Sequence, residues 1–125
     1  MTTLLVLYRR PEGGPDAQAV FERRYVAEHL PLVAGTPGLR STRVQRVVGA
    51  LGGETDLILA TSMAFDDRTA LDAGLASDAM RLAGRNLREI APGLATFLVL
   101  EDSAEIGAGP SPAVDTVQNT AEGSS

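Results

Sequence analysis

The sequence contains no cysteine and no lysine, and it has a single histidine. Without cysteine there can be no disulfide scaffold, no thiol catalysis and no thiolate metal site. Without lysine there is no Schiff-base chemistry on the chain. All eleven basic residues are arginine, which reads first as genomic compositional bias. One histidine and no thiol leave no ligand set for tetrahedral zinc. Glycine fingerprints for phosphates or dinucleotides are missing too, and Gly13-Gly14 and Gly52-Gly53 read as turns. No nucleophile-elbow motif supports a serine triad. No cofactor and no metal are expected; haem on a lone histidine would have no second supporting feature. No apolar run reaches the length of a membrane span. Leu4–Leu7 is too short for a signal-peptide core and its arginines follow it. A cytoplasmic location away from membranes is the expectation.

What is present fits one globular domain. The chain has 125 residues, 44% of them apolar. The formal charge of −5 is uneven. Asp102, Glu105, Asp115 and Glu122 stand in a C-terminal stretch without bases, which leaves the body near neutrality. Such a body has no strong attraction for nucleic-acid phosphates. RNA recognition on a sheet also needs exposed aromatics on central strands, and the third strand has only Phe65, at its end.

Along the chain, Leu4–Tyr8 reads as a strand and Arg9–Asp16 as a loop. A helix follows from an Asp16 cap to about His29, where Pro31 is expected to end or kink it, with a further turn at Leu32–Ala34. Strands are expected over Leu39–Val48, Asp56–Phe65 and Leu94–Glu101. Asp66 and Asp67 are placed to cap a short helix ending near Ala76. Ser77 caps the next, whose stripe of Met80, Ala83, Leu87, Ile90 and Ala91 has helical spacing and leaves Arg81, Arg85 and Arg88 outside. The order βαββαβ predicts an α+β fold of ferredoxin-like type, an antiparallel sheet with helices on one face, over residues 1–101. The tail from 102 to 125, rich in Gly, Ala, Pro and Ser, is expected to be disordered.

Successive strand residues face opposite sides of a sheet. Leu57, Leu59, Thr61, Met63 and Phe65 alternate with Ile58, Ala60, Ser62 and Ala64, and the first and last strands are apolar on both sides. Helices can cover one face only, so the other predicts an apolar interface, filled most simply by a second copy in twofold symmetry. The Arg40–Arg46 strand is polar, as suits an edge.

The first helix departs from its own pattern. Ala17, Val20 and Phe21 define an apolar arc, but Arg24, Tyr25 and Glu28 fall in or beside it, and Phe21, Tyr25 and His29 form one i, i+4, i+8 row. Either a polar-walled cavity lies between the helix end and the sheet, or the helix surfaces there. A histidine in a last helical turn is favoured in its charged form by the helix dipole, which poises it for proton transfer. Tyr25 could orient it or act as an acid, and Glu28 is expected to pair with Arg24. Tyr8 is expected as a core tyrosine with its hydroxyl at the rim, and Asn86 as a solvated amide.

Taken together, Tyr8-Arg9-Arg10-Pro11, Phe21, Tyr25-Val26-Ala27-Glu28-His29-Leu30-Pro31-Leu32, Pro37-Gly38-Leu39-Arg40, Met63-Ala64-Phe65-Asp66 and Ala76-Ser77 resemble the EthD family of the dimeric α+β barrel superfamily. The resemblance covers about Thr3 to Glu101. It implies a homodimer built through the open sheet faces and a cavity into which His29 points. It also implies a small hydrophobic or aromatic ligand. The wider superfamily includes cofactor-independent monooxygenases, isomerases, dehydratases and cyclases, so His29 and Tyr25 are the catalytic candidates. Tyr8, Phe21, Arg40 and Asn86 are the candidates for substrate contact. Asn86 departs from the family pattern, where an aspartate is expected, and the loss of that acid argues against activity. The alternative is a non-catalytic dimer that binds a small molecule or supports a neighbouring enzyme.

Overall fold

In a computed structural model, which describes residues 1–104 and Gly107, β1 (Thr2–Arg9) alternates buried and half-buried side chains along its length. Thr2, Leu4, Val6 and Tyr8 face the helices, and Thr3, Leu5, Leu7 and Arg9 face the other way. β3 (Leu57–Phe65) pairs with β1 antiparallel, setting Leu4 opposite Met63 and Val6 opposite Thr61. β2 (Ser41–Arg46) lies on the far side of β3, and β4 (Ala95–Glu101) on the far side of β1, in the order β2-β3-β1-β4. The expected ferredoxin-like sheet is therefore present, with the polar β2 at an edge. Hydrogen bonds from Arg40 N–H to the Ala64 carbonyl (2.8 Å) and from Val47 N–H to the Ile58 carbonyl (2.9 Å) extend the β2 pairing at both ends.

α1 (Gly14–Arg24) begins three residues earlier than the Asp16 cap would place it. Gly13 caps it at φ 109°, and a Cβ there would stand 2.8 Å from Ala17 Cβ. The left-handed conformation and the close approach both require glycine, which leaves Asp16 in the first turn, where its charge complements the helix dipole.

Pro31 does not stop the helix. Tyr25–His29 widens into a π-helical turn in which Leu30 N–H bonds the Tyr25 carbonyl five residues back, and α2 (Leu30–Ala34) continues with Pro31 in its first turn. A proline inside a regular α-helix clashes with the carbonyl four residues before it, and the inserted residue relieves that clash.

α3 (Arg68–Leu75) and α4 (Asp78–Ile90) start as expected, with Asp67 accepting from Ala70 N–H and Ser77 from Met80 N–H. α3 approaches the sheet closely at Gly74, where a Cβ would lie 2.9 Å from Phe65 and 3.0 Å from Thr36. α4 buries Ala83, Leu87 and Ile90.

The core lies between these helices and the inner face of β1 and β3. Burying each of its large side chains contributes about 1.5–3 kcal/mol. The helices stop short of β4. Phe97 and Val99 share the helix side with Val6 and Leu4, yet they are 57% and 41% exposed. No described helix is long and apolar enough to cross a membrane. The expectation of a disordered tail falls, beyond Ala104 and apart from Gly107, outside the described residues.

Candidate functional site

The π turn presses two aromatic rings inward that a regular helix would space along one row. Tyr25 and His29 are both buried and stack with centroids 5.1 Å apart at 28°. Tyr25 meets Tyr8 edge-on at 5.0 Å, and Phe21 closes the cluster at 5.7 Å from each tyrosine. Of the two openings left by the sequence, the structure takes the buried one: the polar helix end turns toward the sheet.

The Tyr8 hydroxyl is not at a rim. It donates to Tyr25 Oη at 3.1 Å, and Tyr25 Oη lies 2.5 Å from Thr61 Oγ1. Tyr25 Oη is thus shared between Tyr8 and Thr61, either member of the Tyr25–Thr61 pair being able to donate, and each of the three oxygens has a partner. Burial pushes the pKa of both phenols up; for Tyr8 the neighbouring Tyr25 adds to the effect. These two tyrosines are neutral. Tyr25 touches His29 by stacking, and its hydroxyl is committed elsewhere.

His29 is held from the other side by α4. Its Nδ1 lies 3.2 Å from Asn86 Oδ1, and Asn86 Nδ2 donates to Glu28 Oε1 at 3.0 Å. Glu28 in turn receives two hydrogen bonds from Arg24, at 2.8 and 3.1 Å. The logic runs in one direction. An ionised Glu28 only accepts, so Asn86 turns its amino group toward it and its oxygen toward the ring. Nδ1 therefore carries the proton, and in neutral His29 the lone pair is on Nε2.

Two expectations change here. Asn86 is not a solvated amide; it is the link between the π turn and α4. And the dipole does not favour a charged His29, because the helix runs on to Ala34. Burial pushes the His29 pKa below its ordinary value, against smaller opposing effects of Asn86 and the Ala83 carbonyl. Arg24 holds the Glu28 carboxyl below the usual range, as expected for that pair.

His29 and Tyr8 line a cavity of about 440 Å³ between α4, α2 and the inner face of β1 and β4. Its wall is mostly apolar, with Leu4, Val33, Met63 and Leu87 inside and the exposed Phe97 at its edge. Phe21 does not line it; buried behind both tyrosines, it supports the wall. Arg40 is not brought to the cavity at all. It pairs with Asp66 at 3.0 Å on the surface, both side chains being more than half exposed. Three residues missed as site members are Thr61, Gly84 and Arg88. Thr61 was legible as a lone hydroxyl on an apolar strand face. Arg88 was assigned outside the α4 stripe, and its length lets the guanidinium return to the cavity. Among the described residues no cluster of acids and histidine is arranged to hold a metal ion.

No family model and no curated protein matches the sequence. Solved structures do. An ethyl tert-butyl ether D (EthD) family protein from Bacillus halodurans is 31% identical, with a TM-score of 0.74 over 82% of this chain and 99% of its own. The chain belongs to the EthD family. More distant structures share the fold alone. A dimeric ferredoxin-like protein of unknown function from Bacteroides fragilis is 19% identical (TM-score 0.61, 81% of this chain and 95% of that one). A DABB family protein from Mesorhizobium loti is 11% identical (TM-score 0.65, 82% and 98%). Within this EthD protein, the residues that carried the resemblance divide in two. Tyr8, Phe21, Tyr25 and His29 converge on one side of the sheet, whereas in the Pro37–Arg40 stretch Leu39 packs against the core and Arg40 turns to Asp66 on the surface.

Proposed function

We propose that this EthD protein binds a small hydrophobic or aromatic molecule in the cavity beside α4 and that His29 exchanges a proton with it. The observation that carries the reading is a buried His29, its Nδ1 beside Asn86 Oδ1, in the wall of an apolar cavity, where burial lowers its pKa. Nε2 is then a general base. Its lowered pKa makes it a weak one, so the matching substrate has an acidic C–H or O–H, as in a 1,3-dicarbonyl or a phenol. Taking that proton and returning it elsewhere is the chemistry of an isomerase, lyase or cyclase, and it calls for no cofactor. A cytoplasmic location accords with such a reaction. Tyr25 serves by stacking on the imidazole, and Tyr8 by forming wall.

The assembly proposed is a homodimer through the open face of the sheet. Leu98 and Leu100 on that face are 41% and 44% exposed beside half-buried Leu5 and Leu7, an apolar surface that no described helix covers. The Bacteroides fragilis protein of the same fold is described as dimeric.

One observation favours a second reading, binding without turnover. Asn86 is uncharged, so an imidazolium at His29 gains no adjacent carboxylate to stabilise it. Solvent-deuterium uptake into a small aryl 1,3-diketone separates the two. Acceleration by the wild type, lost about a hundredfold in His29→Gln, supports His29 as the base. Uptake equally fast in both proteins removes it from that role. Binding of the diketone with no acceleration by either protein supports the second reading.

A further inference from the structure

We propose that the cavity selects apolar molecules bearing one anionic group, a carboxylate or phenolate, and that Arg88 at its edge binds that group. The inference rests on the cavity being a ligand site and adds the charge of the ligand.

The lining contains no aspartate and no glutamate. Its ionisable groups are His29, Tyr8 and Arg88, and the first two are neutral for the reasons given above. The cavity therefore presents a single formal charge, and it is positive. Arg88 is exposed, so this charge stands at the solvent edge of an apolar lining that holds no other.

Arg88 is also uncommitted. It has no ion pair or hydrogen bond among the described residues, although acids are near in sequence. Glu89, its neighbour, turns to Arg24 instead, at 3.6 Å. Arg81, on the same helix, pairs with Asp78.

The guanidinium folds back over the preceding turn of its own helix. One turn before Arg88 stands Gly84, itself a lining residue, and Arg88 Nη1 lies 3.8 Å from where a Gly84 Cβ would be. A Cβ there would meet the guanidinium only at ordinary contact distance, so the arginine lies back along the helix at the cavity edge. A guanidinium presents paired N–H donors that match a carboxylate. A ligand held this way has its anionic end at the edge and its apolar body within.

The test compares 2-naphthoate with 2-naphthamide, its neutral counterpart of matched size, by calorimetric titration of the full chain. The proteins are wild type, Arg88→Gln and Arg85→Gln; residue 85 is an exposed α4 arginine that does not line the cavity. The wild type should prefer the carboxylate by about tenfold, the lower range for a hydrogen bond to a charged group. Arg88→Gln should lose that preference while keeping its affinity for the amide, and Arg85→Gln should retain it. Equal wild-type affinities, or a preference that survives Arg88→Gln, would overturn the anion selectivity and leave the cavity reading intact. Failure of both probes to bind the wild type would overturn the cavity reading and this inference with it.

Discussion

His29 Nδ1 and Asn86 Oδ1 meet at 3.2 Å, joining the π turn to α4 across 57 residues of sequence. This contact sets which ring nitrogen carries the proton, while burial lowers the pKa of the ring. Arg24 fixes Glu28, Glu28 fixes the Asn86 amide, and the amide fixes the imidazole tautomer.

Asn86→Asp should raise the His29 pKa, because a carboxylate beside the ring favours its charged form. It also sets two acids side by side at Glu28, so some stability is lost. The single histidine makes the titration simple to follow by NMR. A His29 pKa unchanged or lowered in the variant would show that the two residues are not coupled as described.

The pH dependence of stability has a definite sign. Folded His29 binds its proton less readily than unfolded His29, so below about pH 6.5 the unfolded chain takes up more protons. Stability therefore falls as pH drops through that range. Glu28, with its pKa lowered by Arg24, loses its contribution only at more acid pH. The melting temperature of the wild type should fall between pH 7.5 and 5.5 more steeply than that of His29→Gln. Equal slopes would place the imidazole in water.

Tyr8→Phe should cost about 1 kcal/mol in denaturant unfolding, the worth of one neutral hydrogen bond. Tyr25 would keep Thr61 as its partner. Thr61→Val should cost more, about 1–3 kcal/mol, because it takes the close partner of a phenol in the centre of the core and leaves a buried polar group unmatched. A Thr61→Val variant as stable as the wild type would mean that water enters this network.

Leu98→Asp should convert a dimer into monomers, since it sets a charge in the middle of the open apolar face. Light scattering coupled to size exclusion reads the mass directly. A wild-type monomer, or a Leu98→Asp dimer, would contradict pairing through that face.

Much of the fold was legible because its signals are local. The Asp67 and Ser77 caps, the α4 stripe and the two-sided apolar strands each lie within a few residues, and all appear as expected. The first helix was misread at its start, where Asp16 looks like a cap but Gly13 begins the helix. At its other end the irregularity expected at Pro31 takes the form of an inserted π residue, and the further turn to Ala34 is present. The site was half legible. The Phe21, Tyr25, His29 row was visible as a spacing, and so was the Arg24–Glu28 pair. The roles of Asn86 and Arg88 were not, because the partners of one and the cavity edge met by the other are set by tertiary packing and not by neighbours in sequence.

The central claim is that a ligand binds beside His29. The most direct measurement follows the His29 imidazole by NMR during titration with 2-acetylnaphthalene, a neutral aromatic ketone. The account predicts a saturable shift of that one resonance, accompanied by shifts of the Met63 and Met80 methyls that share the cavity. A resonance that stays in place while the methyls of Leu5 and Leu98 move would put the ligand on the open sheet face and contradict it.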